Sequence, residues 1–162
     1  MVLRKAEIDD LLWIVAVYNS TIASRASTAD IEPVSVESRE EWFMQHQKKN
    51  RPLWIAEELG LPVGWISISD FKSRAGYHLT AEISIYLHEE YRGSGLGKAI
   101  LKESMARCRE LGIKVLIGVI FGHNIASLKL FADAGFEEWG HLPEVVEMDD
   151  KFYNVKILGK KL

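Results

Sequence analysis

The spacing of apolar and polar positions changes character several times along the chain. Val2 to Ala6 reads as a short strand, and Leu11, Leu12, Ile14, Val15 and Tyr18 recur at helical spacing behind Asp9 or Asp10, either of which can cap the helix. Ser20 to Pro33 carries no period and reads as loop. A second helix is expected from Ser35 through Trp42 and Phe43, stopping before Arg51-Pro52 because the residue ahead of a proline avoids helical dihedrals. The period then falls to two. Leu53 to Glu57 and Val63 to Ser69 form an expected hairpin around Gly60-Leu61-Pro62, and Phe71 to Leu79 connects to a third strand. In that strand Ala81, Ile83, Ile85 and Leu87 alternate with Glu82, Ser84, Tyr86 and His88, so one face is apolar and the other carries functional groups. Helical spacing returns with Ile100, Leu101, Met105, Cys108 and Leu111, ended by Gly112. Val115 to Ile120 reads as a buried strand, and Asn124 caps a helix over Leu128, Leu130 and Phe131. Phe136 to Trp139 and Phe152 to Leu158 close the pattern. The order is an antiparallel meander, then strand, glycine loop, helix, strand, helix, strand.

Composition narrows the class. With 162 residues, 48% hydrophobic and 27% charged, the chain can bury roughly 70% of its unfolded surface and needs no disulfide or structural metal. A single domain over 1–162 is expected, since no repeat, low-complexity tract or linker interrupts it. One cysteine, Cys108, cannot form an internal bridge, which fits a reducing compartment. A formal charge of -3 gives no electrostatic reason to expect a nucleic-acid partner, and no apolar run reaches the roughly 20 residues of a membrane span. The amino terminus turns charged before any signal-peptide core, so a cytoplasmic location is expected. His46, His78, His88, His123 and His141 are scattered without ligand spacing, and no metal is expected. Trp13, Trp42, Trp54, Trp65 and Trp139 suit core or a subunit interface.

The chemistry concentrates in Tyr91-Arg92-Gly93-Ser94-Gly95-Leu96-Gly97-Lys98, directly between a strand and a helix. Three glycines at alternate positions let backbone N–H groups converge on a ligand at the positive end of the helix, with Arg92 and Lys98 adding charge. A plain glycine-rich turn is the alternative. The loop is not a Walker A motif, which needs glycine at Arg92 and Ser or Thr at Ala99. It is not a dinucleotide fingerprint either, which wants glycine at Lys98 within an amino-terminal βαβ unit.

Arg92-Gly93-Ser94-Gly95-Leu96-Gly97 resembles the Arg/Gln-x-x-Gly-x-Gly/Ala signature of the GNAT superfamily of N-acetyltransferases. Asn124 through Ser127 to Ala134-Gly135-Phe136 is similar to that superfamily's next motif. Tyr18-Asn19, Thr80-Ala81-Glu82 with Ile85-Tyr86-Leu87, and Phe152-Tyr153-Asn154 resemble the phosphinothricin and methionine sulfoximine N-acetyltransferase-like branch. The resemblance implies an α+β fold, with a mixed, mostly antiparallel sheet of about seven strands flanked by about four helices and with splayed central strands. It implies acetyl-CoA as co-substrate, its pyrophosphate on Gly93 to Lys98, and its pantetheine along Ile85, Tyr86 and Leu87 by strand addition. Asn124 and Ser127 would contact it further along; Asn124 is also a plain helix cap. The implied acceptor is a small amino-acid-like amine of the phosphinothricin, methionine sulfoximine or methionine sulfone type. A protein amino terminus or lysine, or a non-catalytic CoA-sensing role, are the alternatives.

Glu82 is the candidate base, because an ammonium has no lone pair with which to attack a thioester; a solvated strand glutamate is the bland reading. A backbone N–H near Ile85 would face the developing oxyanion. Relatives place a Tyr or His donor where this chain has Phe131, which cannot donate, leaving water, the protonated amine, Tyr86 or His123. By resemblance Ala75, Gly76 and Tyr77 would contact the acceptor, with Arg74 or Lys72 able to fix a carboxylate. A homodimer is expected, with the carboxy-terminal strand and Trp139 suited to its interface.

Overall fold

The structure, a computed structural model, describes residues Met1 to Leu162. Strands β1 (Val2–Lys5), β2 (Leu53–Glu58), β3 (Leu61–Asp70) and β4 (Thr80–Leu87) pair antiparallel in chain order. β4 then runs parallel to β5 (Val115–Phe121), while β7 (Lys151–Lys161) lies antiparallel between β5 and β6 (Glu137–Met148). The seven strands form one mixed sheet in the order β1-β2-β3-β4-β5-β7-β6. With helices α1 (Leu11–Ile22), α2 (Glu40–Gln45), α3 (Leu96–Glu110) and α4 (Ile125–Asp133), this is the expected α+β architecture.

Both faces of the sheet are covered. Ile66, Ile68, Ala81 and Ile83 pack against Ile100, Leu101 and Cys108 of α3 on one side. On the other, Leu53, Ile55 and Trp65 pack against Leu11, Ile14, Val15 and Val17 of α1 and Phe43 of α2. The functional-group face of β4 is thus roofed, with the Tyr86 ring packed into this second core.

Several elements differ from the sequence reading. Asp10 does not cap α1; its carboxylate accepts from Glu7 N–H at 2.8 Å and binds Arg4 at 2.7 Å, joining β1 to the helix start. α2 begins at Glu40, five residues later than expected, because Glu37–Arg39 form a separate 3-10 turn, ahead of which Ser35 Oγ accepts from Ser38 N–H. The β2–β3 turn sits on Leu59-Gly60, with φ of 52° and 80°, so Leu61 and Pro62 belong to β3. β6 runs to Met148 rather than stopping at Trp139. A bulge between Leu142 and Val146, with Glu144 at φ 51°, breaks its alternation, and Asp149-Asp150 closes the hairpin with positive φ at both positions.

One irregularity positions the site. β4 and β5 pair only from Thr80↔Val115 to Glu82↔Ile117. Beyond that, β4 stays with β3 as far as Gly64↔Leu87, and β5 stays with β7 as far as Phe121↔Val155. Gly64 supports the divergence: a Cβ there would stand 2.6 Å from Tyr86 O, so its absence lets β3 hold the end of β4 close. The sheet opens into a cleft at its centre.

Candidate active site

β4 leads through a short turn at Glu89–Tyr91 into Arg92-Gly93-Ser94-Gly95, and α3 starts at Leu96. Gly93 and Gly95 have φ of 73° and 87°, and a Cβ on either would meet nothing within 4 Å. The main chain there is bare, next to the amino end of a 15-residue helix whose N-cap makes no side-chain hydrogen bond. That arrangement suits an anion. Gly97 serves packing instead, since a Cβ there would stand 3.4 Å from Leu130 and 3.6 Å from Leu87; the glycine seats α3 against α4 and β4. Arg92 donates to Leu87 O at 3.1 Å and to Ser20 Oγ at 3.2 Å, tying the loop to β4 and α1, while Lys98 is exposed.

Between β4 and β5 lies a cavity of about 300 Å³, lined among others by Ile85, Tyr86, Phe121, Asn124, Ser127 and Phe131. His88 N–H donates to Val63 O in β3. Successive residues of a strand direct their N–H and C=O groups to opposite sides, so Tyr86 spends its backbone on β3, while Ile83, Ile85 and Leu87 face the cleft. Of the segment expected to offer backbone, Ile85 borders the cavity, Leu87 lies outside its lining with its carbonyl already taken by Arg92, and Tyr86 presents its ring. Asn124 Oδ1 accepts from Ser127 N–H at 3.1 Å and its Nδ2 donates to Ala26 O at 2.8 Å, so it both caps α4 and holds the 26–29 loop along the cavity.

A second cavity, about 190 Å³, lies on the α1 and α2 side. Its floor is three cross-strand pairs on one face of β3 and β4: Trp65↔Tyr86, Ser67↔Ser84 and Ser69↔Glu82. The Trp65 and Tyr86 rings stack at 4.4 Å and 18°. Tyr18, Trp42 and Arg39 form the roof. The Arg39 guanidinium sits 4.9 Å over the Tyr18 ring and gives Nη2 to Asp30 at 3.0 Å; no protein group accepts from its Nε or Nη1. Glu82, Ser84 and Tyr86 line both cavities, so the two spaces meet at these side chains.

Glu82 is half-buried and accepts no hydrogen bond from the protein. Burial pushes its carboxyl above the ordinary carboxylate range, and the charge of Lys72 opposes this. Tyr86 donates to Ser27 O at 3.2 Å, and burial drives its hydroxyl pKa upward. His123 lines neither cavity; its Nε2 is 2.7 Å from Arg25 O and its ring stacks on Phe121. Phe131 packs edge-on against Phe136 at 4.8 Å.

Arg74, Ala75, Gly76 and Tyr77 form or flank an exposed 3-10 turn that lines neither cavity, with Tyr77 edge-on to Phe71 at 5.8 Å. Residues not singled out from sequence complete the second cavity: Arg39, Ser67 and Ser69, together with Trp42 and Trp65, which were expected only as core or interface. Cys108 is fully buried, with its thiol pushed up to about 12 by desolvation, and reaches neither space. No group of three or more His, Cys, Asp or Glu side chains is placed to hold a metal ion.

Residues 14–136 match the model of the acetyltransferase (GNAT) family. The chain is 52% identical over 163 residues to the YwnH protein of Bacillus subtilis (strain 168), provisionally named a phosphinothricin acetyltransferase, with 100% of this chain and 99% of that one covered. It is 31% identical over 144 residues to the L-methionine sulfoximine/L-methionine sulfone acetyltransferase of Pseudomonas aeruginosa, covering 88% and 84%. The crystal structure of a GNAT superfamily phosphinothricin acetyltransferase from Sinorhizobium meliloti in complex with AcCoA matches with a TM-score of 0.92 at 30% identity, covering 99% and 88%. Motif, splayed sheet and relatives agree: the chain belongs to the GNAT family of N-acetyltransferases, in its phosphinothricin acetyltransferase-like branch.

Proposed function

We propose that this chain moves the acetyl group of acetyl-CoA to the amino group of a small amino-acid-like acceptor, of the phosphinothricin, methionine sulfoximine or methionine sulfone type, by direct attack with both substrates bound. The observation that carries this reading is the meeting of a backbone-lined cleft and an aromatic acceptor cavity at Glu82. Relatives named for these acceptors, and a neighbour solved with AcCoA, support it.

Acetyl-CoA supplies the activated thioester. The bare backbone of Gly93, Ser94, Gly95, Leu96, Gly97 and Lys98, with Arg92 beside it, suits the pyrophosphate. The free edge at Ile85, with the Leu87 N–H beyond it, suits the pantetheine amides, with Asn124 and Ser127 further along. Glu82 takes one proton from the acceptor ammonium, and the freed lone pair attacks the thioester carbon while the Ile85 N–H faces the oxyanion. The C–N bond forms, the C–S bond breaks, and the second amine proton goes to the departing sulfur. Phe131 therefore needs no donor in its place. The Nε and Nη1 protons of Arg39, which no protein group accepts, make its guanidinium the seat for the acceptor carboxylate. Arg74, Ala75, Gly76 and Tyr77 line neither cavity in the structure; in this proposal their turn, in the connection that carries Lys72, folds over the acceptor side chain once it is bound. A cytoplasmic homodimer is part of the same proposal. Trp139, Leu142 and Phe152 are exposed on β6 and β7, and sedimentation should show one species of twice the 18.4 kDa chain, a monomer overturning that part.

Thiol release with acetyl-CoA tests the function. Methionine sulfone should turn over, and its carboxamide should show a roughly tenfold higher KM. Arg39→Gln should raise the KM for the acid by a similar factor and leave the amide nearly unchanged. Turnover of peptide amino termini but not methionine sulfone would favour a protein acetyltransferase, and turnover of no amine a CoA-sensing module.

A further inference from the structure

His46 is a buried titratable group that the mechanism above does not use, and its contacts determine the hydrogen-bonding character of a residue that the mechanism faces. Its Nδ1 lies 2.8 Å from Trp42 O, a carbonyl that can only accept, so Nδ1 carries the ring proton. Burial disfavours the charged ring, which leaves Nε2 as an acceptor. Ser69 Oγ lies 3.1 Å from that Nε2 and must donate its only proton to it. The remaining lone pairs of Ser69 are thus the polar groups it can present to the acceptor cavity, which it lines. Ser69 is also the direct cross-strand partner of Glu82, so the two side chains leave the same face of the sheet roughly 5 Å apart.

We propose that Ser69, with its proton locked on His46, is a second acceptor beside Glu82 for the N–H groups of the incoming amine, and that His46 is its positioning residue. This rests on the acetyl-transfer reading. It also extends that reading, because two neighbouring acceptors with no donor between them favour a primary amine, which brings at least two N–H groups to the same spot. A serine hydroxyl free to rotate could instead turn its own proton towards the amine nitrogen and occupy the lone pair needed for attack. The His46 contact removes that orientation.

The test is steady-state kinetics with acetyl-CoA and methionine sulfone on wild type, Ser69→Ala, Ser69→Thr, His46→Phe and the Ser69→Ala/His46→Phe double variant. Ser69→Ala should raise the KM for methionine sulfone roughly tenfold while leaving the KM for acetyl-CoA within about twofold, and Ser69→Thr should restore most of the loss. His46→Phe should raise the same constant, and the double variant should be no worse than Ser69→Ala, because the two side chains act as one unit. If His46→Phe does not fold, the Ala and Thr variants at Ser69 decide alone. An unchanged methionine sulfone KM in Ser69→Ala, or an equal rise in the acetyl-CoA KM, overturns the proposal while the function stands. No turnover by the wild-type protein overturns both.

Discussion

At the scale of single residues the proposed chemistry turns on Glu82. Its alternation with Ile83 and Ile85 was legible in sequence, since period two puts it opposite the apolar face and three residues before the strand edge that meets the cleft. Its surroundings were not. Arg39 arrives from the turn before α2, Trp42 from α2, Tyr18 from α1 and Ser69 from β3, and no local pattern links these positions. The environment gives a testable sign. Burial raises the Glu82 pKa, so its carboxylate is lost as pH falls through a midpoint above the ordinary carboxylate range. The acid limb of kcat/KM should sit there, and Lys72→Ala should move it higher by removing the opposing charge; a limb in the ordinary range would argue that another group accepts the proton. Between the ordinary and the raised pKa the folded chain holds more protons than the unfolded one, so this group makes stability fall as pH rises through that window. Glu82 therefore works against the fold at neutral pH.

Among the elements, the central cleft depends on which strands keep their partners. Pairing of β4 with β5 ends at Glu82↔Ile117, and two glycines accommodate the divergence beyond it. Gly64 admits the end of β4, while Gly118 admits the Phe131 ring, whose nearest carbon would be 2.7 Å from a Cβ there. Neither role is readable without tertiary neighbours, although the glycine loop and the strand and helix around it were. β6 shows a different limit. Its continuation past Trp139 was hidden by Pro143, the Glu144 bulge and a turn built from two aspartates instead of the usual Asn-Gly or Asp-Gly. Gly118→Ala should push Phe131 into the cavity it lines. The expected result is roughly tenfold weaker acetyl-CoA binding by calorimetry, with about 1–3 kcal/mol of lost stability in denaturant unfolding. Unchanged acetyl-CoA affinity would show that the cofactor does not use this space.

For the molecule as a whole, a sheet covered on both faces accounts for the joined sites. The α3 and α4 face fixes the glycine loop, and the α1 and α2 face roofs the second cavity, so the gap between β4 and β5 is where the two sides communicate. Sequence periodicity conveyed the apolar side of β4 and marked the other only as carrying functional groups, because no local pattern shows that a second core lies over it. The consequence is that catalysis and stability should respond oppositely to loss of the buried carboxylate. Glu82→Gln, assayed for methionine sulfone turnover, acetyl-CoA binding and thermal unfolding on the same preparation, is the most direct test. Turnover should fall by at least about a hundredfold and lose its acid limb, acetyl-CoA affinity should hold, and the unfolding temperature should equal or exceed that of wild type. Turnover at the wild-type rate, with the acid limb intact, would contradict the account.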